Sequence, residues 1–122
     1  MCMENDMNDL LLVGAGVGGV LVAIIHGYLG HKIVLPQLAG GTAQIRRVNE
    51  AVFQLSTLYW LAGGLVLIAT PYFLDDALRR VFVCGVVFLY ATGAIGNFWA
   101  TRGRHPGWVI LLVVTIMALL GA

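Results

Sequence analysis

The chain has 122 residues, of which 60% are hydrophobic and 11% charged, with a formal net charge of +1; ordinary soluble domains carry about 45–50% and about 25%. A chain this short keeps a large share of its surface exposed on folding, so water excludes so apolar a composition. A charge near zero also excludes the broad basic field of a nucleic-acid-binding protein.

The thirteen Asp, Glu, Lys and Arg residues all fall outside four runs, 10–31, 51–74, 81–101 and 105–122, which are 22, 24, 21 and 18 residues long. A helix crosses about 30 Å of hydrocarbon with about 20 mostly apolar residues. Within lipid the backbone must satisfy its own hydrogen bonds, in helices or closed barrels, and no run alternates with period two. The pattern predicts an all-α membrane protein: a compact antiparallel four-helix transmembrane bundle with short loops. Its helices are expected near 10–30, 50–70, 80–100 and 106–122, after a polar tail at 1–9.

That tail, MCMENDMND, has no basic residue and so lacks the n-region of a cleaved signal peptide. The first span carries Gly14, Gly16 and Gly19 in a GxGxxG spacing, but no Asp or Glu occurs between Asp9 and Glu50. The ribose-binding carboxylate of a dinucleotide fold is therefore missing. Spacing by four explains the glycines better: Ala15, Gly19, Ala23 and Gly27 form a row along which a second helix backbone can approach closely. The loop after it holds Pro36 and the Gly40-Gly41 pair, which are expected to break the helix. Thr42 is placed to cap the next one, where Arg46 and Glu50 are i,i+4 neighbours.

The second span is expected to stop at Pro71, a helix terminator. Asp75 and Asp76 suit the start of the third helix and stand i,i+4 from Arg79 and Arg80. The third span repeats the small-residue row with Thr92, Gly96 and Ala100. Both rows are expected to close the bundle internally, with a homodimer seam as the rival. Pro106 suits the first position of the fourth helix, which lies at the lower length limit for crossing.

Sidedness follows from basic residues in short loops. Lys32, Arg46, Arg47, Arg102 and Arg104 share one side, and Arg79 and Arg80 the other. Both termini are therefore expected outside the cytoplasm, in a bacterial cytoplasmic (inner) membrane. Arg46, Arg47, Arg102 and Arg104, with Trp99 and Trp108, are expected to anchor the interface.

On that topology His26, Gln54 and Asn97 fall within about one helical pitch of 5.4 Å of the same depth. With Glu50 they form a candidate polar site for a ligand or ion, or else a set of interhelical hydrogen bonds. No metal is expected: His26 and His31 project differently, and Cys2 and Cys84 form no ligand pattern. No cofactor is predicted, haem included. Catalysis is not expected either, since Ser56 is the only serine and His26 is placed too near the inner face to serve it.

The expected function is that of an accessory or assembly subunit, or of a self-associating bundle, with lipid bilayer and either a homo-oligomer or a larger membrane complex as partners. The alternative is a small oligomeric transporter or channel. In size and four-span plan the chain is similar to small multidrug exporters, but the carboxylate those carry in the first span is absent here. A haem- or quinone-handling redox protein is the third reading.

Overall fold

The computed structural model describes the backbone of residues 2–37 and 40–122 and the side chains from Asp6 onward, leaving out 38 and 39. Among the described residues the fold is all-helical, with four helices and no strand. Helix α1 runs Cys2–Leu29 and continues through a π turn at Gly30–Val34 into Leu35–Gln37. Helix α2 is Ala43–Phe73, α3 is Asp76–Thr101 and α4 is Gly107–Leu120. The first three are long and apolar enough to cross a membrane. The fourth is not: its 14 residues reach only about 21 Å at 1.5 Å per residue.

The first three helices overrun their expected ends for identifiable reasons, whereas the fourth, expected at 106–122, spans only Gly107–Leu120. The first begins at Cys2, inside the expected tail, and does not stop at Pro36. A proline there would meet the Lys32 carbonyl in a regular helix. The chain instead widens to a π turn just before it, with the Leu35 N–H bonded to the Gly30 carbonyl.

Pro71, expected as a terminator, lies inside α2. Its missing N–H leaves the Leu67 carbonyl without an intrahelical partner. The Thr70 hydroxyl donates to that carbonyl at 2.9 Å, and both residues are fully buried. The helix can therefore run on to Phe73.

Caps fix three further ends, while Pro106, expected as the first residue of α4, stands just before it and makes no side-chain cap bond. Thr42 accepts from the Ile45 N–H at 3.4 Å, and Asp75 from the Leu78 N–H at 2.9 Å. The end of α3 is a Schellman turn: Gly103 N–H bonds to the Phe98 carbonyl at 2.9 Å and Arg102 N–H to the Trp99 carbonyl at 3.3 Å. Its left-handed position is held by Arg102, at φ 52°, with Gly103 following at φ 72°. An L side chain there costs about 1–2 kcal/mol, where glycine is the common occupant.

Helix α1 packs on α2 and α4, and α3 also packs on α2 and α4. The α1–α2 crossing is backbone against backbone. A Cβ on Gly16 would lie 2.6 Å from the Gly64 carbonyl oxygen, and one on Gly64 would lie 2.7 Å from that of Gly16. At the centre Tyr90, fully buried, donates its hydroxyl to the Trp60 carbonyl at 2.7 Å, and the Trp60 indole lies against Gly93.

The outside is apolar. Phe73, Phe88 and Trp99 are 82%, 72% and 81% exposed. The accessible surface of 8026 Å² exceeds the roughly 6,400 Å² of a compact soluble chain of this mass.

Candidate functional site

Side-chain contacts set the register of the helices. Asp9 on α1 pairs with Arg79 on α3 at 2.6 Å, and Gly19 on α1 meets the Tyr90 hydroxyl. These two helices therefore run parallel. Lys32 follows Asp9 by 23 residues, and Arg102 follows Arg79 by 23. At 1.5 Å per residue the two charged layers stand about 34 Å apart. Between them no helix carries a charged side chain except Glu50, on α2 near the basic layer.

About two turns inside that basic layer, His26 joins α1 to α2. Its ring lies flat on Phe53, with centroids 4.0 Å apart and planes 1° from parallel, and the Trp60 ring lies 4.5 Å away, tilted by 53°. Ser56 donates its hydroxyl proton to the Phe53 carbonyl at 2.7 Å and stands 3.1 Å from His26 Nε2. Since the Ser56 proton is spent on the backbone, Oγ accepts from Nε2–H and the lone pair falls to Nδ1.

This is a correction to the expected distance between His26 and Ser56, which the structure brings into contact. The polarity is nonetheless the reverse of nucleophile activation, in which the imidazole takes the hydroxyl proton. The arrangement holds two helices together.

The other expected members of the polar site lie elsewhere. Gln54 and Glu50 are exposed on the outer side of α2. Asn97 is half-buried on α3 near the α3–α4 turn, where a Cβ on Gly107 would stand 3.5 Å from its Nδ2. In the same turn, His105 Nδ1 accepts from the Gly107 N–H at 3.0 Å. The sequence pattern singled out Ser56 but set it apart from His26, and it did not single out Phe53. The i,i+3 spacing from Phe53 to Ser56 was the available signal.

The two small-residue rows part company. Ala15, Gly19 and Ala23 are buried in the interior, and Gly27 lies half-buried against Thr57. Thr92, Gly96 and Ala100 lie exposed on the outer side of α3, with no atom within 4 Å of a Cβ on Gly96. The outer row therefore makes no internal seam, because the buried stripe of α3 is Val83, Val86, Tyr90 and Ala94.

Of the anchor residues, Arg46, Arg47, Arg102, Arg104 and Trp99 are exposed, and Trp108 is half-buried. Trp108 donates its indole N–H to the Gly103 carbonyl at 3.2 Å and meets Phe98 edge to face at 5.1 Å.

At the opposite end a cavity of about 210 Å³ is lined by Asn8, Asp9, Asp76, Arg79 and Arg80, with Ala122. Arg79 lies across it to Asp9 and also donates to the Gly121 carbonyl at 3.2 Å. It does not pair back along its own helix with Asp75, as the spacing suggests. Among the described residues no group of three His, Cys, Asp or Glu side chains could hold a metal. No protein-family model, curated protein or solved structure matches the chain.

Proposed function

We propose that the chain is an integral membrane protein, a compact antiparallel four-helix bundle whose role is association. It serves as an accessory or assembly subunit of a larger membrane complex, or it assembles with itself, and it carries no catalysis of its own. The observation that carries this reading is the outward row on α3. Gly85 and Gly96 open onto empty space, and Thr92 and Ala100 are exposed beside them. Small residues at the lipid face leave a shallow groove that lipid tails fill poorly and another helix backbone fills well. The outward Gln54 adds to the case, since polar side chains at membrane depth normally turn toward protein or water.

The basic layer faces the cytoplasm and the Asp9–Arg79 end faces away from it, on the excess of Lys and Arg. A mild-detergent pull-down with mass spectrometry tests the role. A stoichiometric partner or a defined homo-oligomer is expected, and Gly96→Leu should remove it without changing helix content. A monodisperse monomer under every mild condition overturns the reading.

The second reading, a small transporter or channel, draws on the half-buried His26 with its Nδ1 lone pair. It expects flux in liposomes that His26→Ala abolishes.

A further inference from the structure

The charges of the chain are split end from end. The end formed by the α1–α2 and α3–α4 connections bears Lys32, Arg46, Arg47, Arg102 and Arg104 against Glu50 alone, a net charge of +4. Among the described side chains the other end bears Asp6, Asp9, Asp75 and Asp76 against Arg79 and Arg80, a net charge of −2. Among the described residues the ion pair is Asp9–Arg79, at the acidic end. The five cations of the basic end are exposed, and among the described residues none has a carboxylate within pairing distance.

Two of these cations stand on a hydrogen-bonded turn. Arg102 occupies the left-handed position of the Schellman turn and Gly103 follows it, also at positive φ. The Trp108 indole pins the turn through the Gly103 carbonyl. Arg104 N–H bonds to the Thr101 carbonyl at 3.1 Å. The exposed indole of Trp99 stands one turn back on α3, where amphipathic rings settle at headgroup level. An arginine kept in a conformation that suits glycine is a strained residue, and strain of this kind gathers at binding sites. Arginine forks pair with phosphate bidentately, and each Lys or Arg near an anionic membrane surface strengthens attraction to it roughly five-fold.

We propose that the α3–α4 turn is a binding surface for the headgroups of anionic phospholipids, which Arg102 and Arg104 hold beside the Trp99 indole. Lys32, Arg46 and Arg47 extend the same layer. The proposal rests on the membrane reading above. It adds that the lipid shell at this end is selected by charge.

Tryptophan quenching by brominated lipids tests it, in vesicles containing either brominated phosphatidylglycerol or brominated phosphatidylcholine. The buried Trp60 serves as an internal reference within the protein. The expected result is quenching by phosphatidylglycerol at least three-fold stronger than by phosphatidylcholine, falling to near parity in Arg102→Gly/Arg104→Gln. Arg102→Gly relieves the left-handed strain, so it alone is expected to fold as well as the parent and to lower the preference in part. Arg80→Gln, at the other end, should leave the preference intact. Equal quenching by the two lipids overturns the proposal, as does a preference that survives the double substitution. Quenching by neither lipid overturns the membrane reading beneath it.

Discussion

Gly16 and Gly64 meet with their backbones in mutual contact, each occupying the space where the other's Cβ would stand, at 2.6 and 2.7 Å from a carbonyl oxygen. Neither helix can move away alone, because α1 is also held by α4 and α2 by α3. Gly16→Ala should therefore destabilise the fold by about 1–3 kcal/mol, the usual cost of overpacking. Gly96→Ala, which meets open space, should leave stability within about 0.5 kcal/mol. Equilibrium unfolding in detergent, followed by circular dichroism, separates the two.

Thr70→Val leaves the Leu67 carbonyl bare in a fully buried position and should cost about 1–3 kcal/mol. Adding Pro71→Ala returns a backbone N–H to that carbonyl. The double variant is expected to recover most of the loss, as read from the same unfolding curves.

Tyr90→Phe removes the bond to the Trp60 carbonyl. That carbonyl lies within a helix, where a backbone donor four residues on remains available. The loss should be about 0.6–1.7 kcal/mol, the range for interhelical bonds in lipid, and smaller than that of Thr70→Val.

Asp9→Asn and Arg79→Gln should each weaken the closure of the acidic end. The Asp9 carboxylate is 40% exposed, so screening limits their coupling to about 1 kcal/mol or less. A double-mutant cycle at low and high salt checks this, with coupling expected to shrink as salt rises.

Ser56→Ala should loosen the His26 contact by about 1 kcal/mol and leave the stack on Phe53. His26→Phe keeps the aromatic packing and is expected to be milder than His26→Ala. Thermal unfolding in detergent ranks the three.

The helices were legible because charge is absent from long runs, a signal that needs no tertiary information. Their ends were not, because Thr70 and the π turn let the chain pass Pro71 and Pro36 by local hydrogen bonding that composition does not display. Which way each helix turns was harder still. Gln54 and Ser56 are separated by about 200° around a helix, so an inward Gln54 implies an outward Ser56. The structure has the reverse. The contacts that decide it, Gly64 on Gly16 and Phe53 on His26, join residues 48 and 27 positions apart. The inward row on α1 could be read because four small residues recur without interruption. The row on α3 had the same spacing and the opposite facing, for Tyr90 and Val86 claim the inner stripe.

The shortness of α4 gives the perimeter two heights. Along α1, α2 and α3 the proposed bilayer meets apolar walls as tall as its own hydrocarbon. On the α4 flank it meets one about 9 Å lower. Acyl chains there must compress or tilt, and that local thinning makes the α4 side a preferred address for short-tailed lipid, or for a neighbouring protein with an equally low wall.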